Sequence, residues 1–237
     1  MSPGRLEEIR LKEKLYHDNF YENVELFQEG SWLEKPVKTV MDTFELLPQK
    51  NNLRLLDLGC GVGRNSVPLA QRLKGTEGKV VCIDFLESAM TNLQRHGKAY
   101  GVSEVLELIT SEISNFHVCP NYYDYVISVS TLEHLDSIAT FHQVLENIIN
   151  GTKEQGIHCF LMNSNIRETE VETGSQLNPM FEILFRTETL LSLLQNTYAN
   201  WSVLRENVSR YTLEIMRDEK RVWLESDVVT WVAQKRS

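Results

Sequence analysis

Residues 56–65 read Leu-Asp-Leu-Gly-Cys-Gly-Val-Gly-Arg-Asn, with glycines at 59, 61 and 63 and a carboxylate at Asp57. Alternating glycines at the end of an apolar run let the backbone turn tightly and let a ligand lie against the main chain. A helix that follows adds first-turn N–H groups with no partner inside the helix. Asp84 and Glu112 each follow a further apolar run. At the first of these places a carboxylate can accept hydrogen bonds from both hydroxyls of a ribose. At the second it can accept from an exocyclic amine, and Phe85 and Ile113 stand beside the pair to pack on an aromatic base. A fourth stretch, Ser128-Val129-Ser130-Thr131-Leu132-Glu133-His134-Leu135, brings hydroxyls and the imidazole of His134 to an equivalent point.

The details of the loop narrow the ligand. A dinucleotide fingerprint prefers G-x-G-x-x-G/A, with a third small residue for close helix packing. Here the bulky Arg64 follows Gly63, and Asp57 would repel a pyrophosphate but not a cation. S-adenosyl-L-methionine carries a sulfonium and an ammonium and no phosphate. The expected cofactor-binding set is therefore Trp32, Asp57, Gly59, Cys60, Gly61, Gly63, Asp84, Phe85, Glu112, Ile113 and Ser128. Trp32 is the expected lid residue, and Cys60 reads as a small packing residue rather than a nucleophile. His134 is the candidate general base, needed only if the methyl acceptor carries a proton. The spacing of the cysteines offers no zinc site, and no metal is expected.

The elements that must hold these residues are legible. Apolar runs at 53–58, 79–85, 105–110, 122–130 and 156–163 alternate with stretches whose apolar residues recur at helical spacing. Such a βα alternation predicts a doubly wound, mostly parallel sheet with helices on both faces. Residues 1–48 form a charged and aromatic N-terminal extension or lid, with helical spacing at Leu6, Ile9, Leu11 and Leu15. Residues 49–237 form the main domain, with a long loop or insertion at about 165–185. Thr187 is placed to cap a helix. Two closing strands, 201–207 and 227–235, predict an antiparallel edge.

In this order and spacing the glycine loop, Asp84, Glu112-Ile113 and Ser128 to Leu135 resemble the class I S-adenosylmethionine-dependent methyltransferases, over about residues 30–163. That resemblance implies a Rossmann-like sheet of seven strands with one antiparallel edge strand. Gly63-Arg64-Asn65, Asn178-Pro179-Met180 and the tail from Tyr198 to Lys235 are similar to the tellurite-resistance methyltransferases. This narrower likeness implies a small-molecule acceptor.

Composition removes other classes. The net charge of −9 disfavours a polyphosphate partner, so no nucleic acid is expected. The turn at 128–131 also lacks the Asn/Asp-Pro-Pro-aromatic sequence of base-amine methylases. No apolar run approaches the roughly 20 residues of a membrane helix, and the charged start does not read as a signal peptide. A cytoplasmic protein with reduced thiols is expected; its oligomeric state is open. The leading reading is methyl transfer to a small molecule by in-line displacement. A binding module that holds the cofactor without catalysis, a protein methyltransferase and a nicotinamide dehydrogenase are the alternatives.

Overall fold

A computed structural model describes residues 3–237, leaving the first two residues of the predicted extension outside it. The elements in chain order are α1 (Pro3–Asn23), α2 (Lys38–Phe44), β1 (Arg54–Leu58), α3 (Ser66–Leu73), β2 (Lys79–Asp84), α4 (Glu87–Ala99), β3 (Leu106–Thr110), β4 (Tyr123–Val129), α5 (Ile138–Gly151), β5 (Thr152–Glu170), β6 (Gln176–Leu177), α6 (Thr187–Thr197), β7 (Trp201–Arg217) and β8 (Lys220–Lys235).

The main path of the sheet is β3-β2-β1-β4-β5-β8-β7, seven strands, with the short β6 paired to β5 off this path. The strands from β3 to β5 run parallel, and β8 is antiparallel to both β5 and β7. The antiparallel edge is thus a hairpin whose second strand inserts beside β5, and β7 is the outermost strand.

Alternation along the strands divides the core. Leu55, Val80, Cys82, Tyr125, Ile157 and Cys159 point to the face covered by α2, α3 and α4. Leu56, Leu58, Val81, Ile83, Val126 and Phe160 point to the other face, where Phe141, Leu145, Leu190 and Leu194 pack. Near-continuous apolar strands are what a sheet covered on both faces demands. Side-chain capping is local: Ser137 Oγ accepts from Thr140 N at 3.1 Å and starts α5.

The structure departs from the sequence reading in three places. Residues 165–185 are only partly a loop, because β5 continues to Glu170 after a bulge between Ser164 and Arg167. The bulge seats Asn165 at φ 48° and satisfies its side chain on Asp227 Oδ2 at 2.8 Å. Irregular periodicity there reflects the bulge rather than an end of pairing. Next, β7 and β8 run far beyond the predicted segments, to a two-residue turn at Asp218-Glu219. The added part alternates charged and apolar residues, so it lacks the apolar run of a buried strand. Finally, Thr187 does not cap α6; its hydroxyl donates to Asp227 Oδ2 at 3.0 Å, and Arg186 holds the cap position.

The overlong β5, β8 and β7 form a ribbon that projects beyond the carboxyl end of the sheet. Against this ribbon lies α1. The helix forms as its spacing predicts, but Leu11 and Leu15 are 58% and 59% exposed while Ile9 is buried. Its inward face instead carries Glu13, Tyr16, His17 and Tyr21, because it covers the crevice at the end of the sheet rather than the aliphatic core.

Candidate active site

All four loops singled out by the sequence follow the carboxyl ends of neighbouring strands, where open α/β sheets bind ligands. They open into one chamber of about 640 Å³. Its floor is the sheet end; α1 and the segment Trp32–Lys38 form one wall, and the inward residues of the ribbon form another.

The glycine loop shows why each glycine is there. Gly59, Gly61 and Gly63 have φ of 71°, 52° and 96°, a left-handed conformation that side chains disfavour. A Cβ at Gly59 would fall 2.2 Å from Thr131 Oγ1. One at Gly61 would come within 3.0 Å of the Tyr21 hydroxyl, and one at Gly63 within 2.4 Å of Leu93 Cδ1. Gly59 and Gly61 line the chamber, whereas Gly63 serves the packing of α3 on α4.

Asp84 lines the chamber with both oxygens held: Oδ2 accepts from Gly61 N at 2.9 Å and Oδ1 from Leu86 N at 3.0 Å. Burial pushes its carboxyl above the ordinary range, and the two N–H groups pull the other way. One side chain thus ties the glycine loop to the start of α4. Phe85 is 44% exposed on the same rim. Glu112 and Ile113 lie in the wall, and Arg10 of α1 reaches Glu112 at 3.5 Å.

Trp32 also lines the chamber, stacked on Phe20 with ring centroids 4.9 Å apart. Cys60 is buried with its Sγ 3.7 Å from Met90 Sδ, and burial raises its thiol pKa well above the usual value. A protonated, buried thiol is no nucleophile.

Besides Gly63, two predicted residues stand behind the wall rather than in it. Asp57 is buried and accepts from Ser66 Oγ at 2.5 Å; burial raises its pKa to about 6, with the field of Asp84 adding to this against the Ser66 bond. Ser128 is fully buried in β4 with its hydroxyl unpartnered among the described residues. Strand pairing turns it inward, and Val129, Ser130 and Thr131 line the chamber in its place. Ser130 does so at φ 51°, a strained conformation for a residue with a side chain.

His134 reaches the chamber with Nδ1 2.9 Å from Glu182 Oε2 and its ring stacked 4.7 Å from Phe181. Burial opposes its charge, but the Glu182 bond and the fields of Glu13, Glu182 and Glu133 outweigh this and lift its pKa to about 9. A pKa raised above neutral suits the ring to donating a hydrogen bond, which weighs against the base role expected from the sequence.

The sequence reading expected a lid from residues 1–48 but named neither the polar residues of α1 nor the ribbon that meets them in this wall. Arg217 lies 3.0 Å from Glu13 and 3.4 Å from Glu168, and its guanidinium stands 5.7 Å from the Tyr16 ring. Burial works against the Glu13 charge, yet His17, His134 and Arg217 together hold its pKa down at about 2. His17 Nε2 faces Glu13 at 3.5 Å, and its Nδ1 is buried without a partner among the described residues. Glu13 and His17 sit four residues apart on a helix, a spacing that could have suggested one shared face. Nothing in the sequence pairs them with Arg217, 204 residues away from Glu13. Of the C-terminal polar residues, Arg186 and Arg210 lie outside the wall, whereas Tyr211 is in it.

Comparison with known proteins agrees with this layout. A family model described as a methyltransferase domain matches residues 49–202. Carboxy-S-adenosyl-L-methionine synthase of Pseudoalteromonas atlantica is 27% identical over 127 residues, 54% of this chain and 50% of that protein. A sterol 24-C-methyltransferase of Aspergillus fumigatus is 20% identical over 152 residues, 62% of this chain and 40% of its own. The chain thus spans about half the length, or less, of these curated relatives. TehB of Haemophilus influenzae superposes with a TM-score of 0.64 at 18% identity, covering 93% of this chain and 67% of that one. A methyltransferase of Methanosarcina mazei gives 0.59 at 15%, covering 85% and 99%. At such identities a superposition speaks to fold alone. The match over most of the chain, together with this sheet order and glycine loop, places the protein in the family of methyltransferase domains, with the class I, S-adenosylmethionine-dependent fold.

Proposed function

We propose that the protein binds S-adenosyl-L-methionine in the chamber and transfers its methyl group to a small molecule admitted between α1 and the ribbon. The observation that carries this reading is Asp84. Its two oxygens are aimed by the backbone of the glycine loop and of α4, at the end of the second strand. A carboxylate so held can accept from both ribose hydroxyls. Phe85 and Ile113 flank the place for the adenine, Glu112 can meet its amine, and Gly59 and Gly61 leave the main chain open to the rest. The residues present fit the group: Gly59 and Gly61 have no room for a Cβ, and the Asp84 carboxylate in the chamber wall favours a cation nearby.

The ligand supplies an activated methyl group on a sulfonium. The protein's part is alignment and exclusion of water, which convert a collision into a first-order event. Trp32, together with Tyr21 and the rest of α1, which precedes it, stands over the chamber, and these serve as the lid. His17, with Nε2 3.5 Å from Glu13, lines the same wall and is a further polar group for an acceptor to meet. His134, protonated, is suited to donate a hydrogen bond to an electron-rich acceptor and orient it. The curated relatives carry names with different reactions, but the S-adenosyl group recurs in the name of the synthase. A chamber of about 640 Å³ walled by α1 and the ribbon supports a small acceptor over a protein chain.

Thermal unfolding with S-adenosylmethionine, S-adenosylhomocysteine and NADH in parallel tests the reading. A ligand at about 100 times its Kd stabilises by about 2.7 kcal/mol, on the order of 5–10 °C for a chain of this size. We expect a shift with the two adenosyl ligands and none with NADH. No shift with either adenosyl ligand removes the reading.

A further inference from the structure

Six basic side chains line the chamber, and five of them face a carboxylate. Arg10 meets Glu112 at 3.5 Å, His17 meets Glu13 at 3.5 Å, and Lys38 meets Asp42 at 2.5 Å. His134 meets Glu182 at 2.9 Å, and Arg217 meets Glu13 at 3.0 Å. Arg64 is the exception: no carboxylate lies within 4 Å of it among the described residues. Its Nε donates to Lys35 O at 2.6 Å, and its guanidinium sits 5.9 Å from the Trp32 ring centroid.

These contacts fix the guanidinium without neutralising it. With Nε spent on a carbonyl, the two terminal nitrogens remain, and they have no partner among the described residues. They are a fork matched to a two-oxygen anion. A partly buried cation with an unfilled fork, in the wall of a ligand chamber, is otherwise a cost with no return. The fork directly follows the glycine loop, and Tyr211 of β7 shares the chamber wall with it.

We propose that Arg64 is the carboxylate receptor of this site: it binds, through its two terminal nitrogens, a carboxylate on the ligand that fills the chamber. This rests on the S-adenosylmethionine reading. The carboxylate has two sources, the amino-acid tail of the cofactor or an acidic methyl acceptor. Fork-to-carboxylate recognition is common to both, and only binding data separate them.

The test is calorimetric titration of the full chain, wild type against Arg64→Gln and Arg64→Lys. The probes are S-adenosylhomocysteine, 5′-methylthioadenosine, which lacks the amino-acid tail, and acetate added to the S-adenosylhomocysteine complex. If the cofactor supplies the carboxylate, Arg64→Gln weakens S-adenosylhomocysteine about 10- to 150-fold, the range of a charged hydrogen-bond pair. Methylthioadenosine then changes less than twofold, and Arg64→Lys falls between. If the acceptor supplies it, both nucleosides bind as in wild type, and the acetate seen with wild type is lost with Arg64→Gln. An equal loss of both nucleosides overturns the proposal, since Arg64 would then only hold the Trp32–Lys38 segment. No change with any probe overturns it as well. Wild type that binds neither nucleoside removes the cofactor reading itself, a result distinct from these.

Discussion

At the scale of single residues, the site depends on side chains whose charge is set by what surrounds them. Asp84→Ala should weaken S-adenosylhomocysteine about 10- to 150-fold by the same charged-bond magnitude. A loss under threefold in a titration would show that the ribose lies elsewhere. Gly61 makes a second case. Its φ of 52° disfavours any side chain, and an added Cβ meets the Tyr21 hydroxyl at 3.0 Å. Gly61→Ala should therefore lower both stability and cofactor affinity, and Tyr21→Phe should recover part of the stability by removing the atom in contact. Urea unfolding of the two single variants and the double would show it; strict additivity would mean the contact is immaterial. The glycines, Asp84 and Glu112 were readable because each follows an apolar run. The fate of Asp57 and Ser128 was not. Whether a side chain at a strand end faces the crevice or the layer behind depends on strand register, and a single sequence does not fix that to one residue.

Among the elements, α1 and the ribbon are where sequence reading gave least. The parallel strands announced themselves by continuous apolar runs, since both of their faces are covered. The ribbon half of β7, residues 208–217, is mostly exposed and carries Arg210, Glu214 and Arg217 among its apolar residues, so it lacks that signature. The contact between α1 and the ribbon is a buried ion pair, Glu13 with Arg217. Removing one partner of such a pair typically costs about 3–5 kcal/mol when the other charge is left buried alone; here Glu168, 3.4 Å from Arg217, still faces the guanidinium once Glu13 is gone. Glu13→Gln should therefore destabilise by less than that range, and Glu13→Gln with Arg217→Met by clearly less than the two singles summed. Chemical denaturation provides the measurement, and additive singles would mean that the pair is not coupled. The ribbon turn offers a gain instead. Asp218 and Glu219 both have positive φ, 50° and 64°, in a two-residue hairpin turn where glycine is favoured at the second place. Glu219→Gly should stabilise by about 1 kcal/mol, the left-handed penalty relieved. A fall in melting temperature would count against it.

For the molecule as a whole, the charged chamber makes stability depend on pH from two sides. The Glu13 pKa is lowered, from an ordinary 4.5 to about 2. Its contribution is present above pH 4.5 and is lost as pH falls towards 2. The His134 pKa is raised, from 6.5 to about 9. Its contribution is complete below pH 6.5 and is lost as pH rises through 9. Each shift corresponds to about 3 kcal/mol, and the two groups share a field, so they do not simply add. Melting temperature should therefore be highest between about pH 4.5 and 6.5 as far as these two groups decide it. His134→Gln should flatten the alkaline limb, and an unaltered limb would show that the histidine is not charged in the folded state.

The join between Glu13 and Arg217 also sets an order in time. The two residues stand 204 positions apart, so α1 is synthesised well before the ribbon and cannot dock until Arg217 has followed. The parallel sheet and its helices can form around their own core while the first helix waits outside. The crevice is thus built open and roofed last, and under native conditions the roof should be the first part to come away. Backbone amides of residues 3–23 should accordingly exchange with solvent through a small opening that leaves β1, β2 and β4 protected, and a filled chamber should slow that opening more than any other.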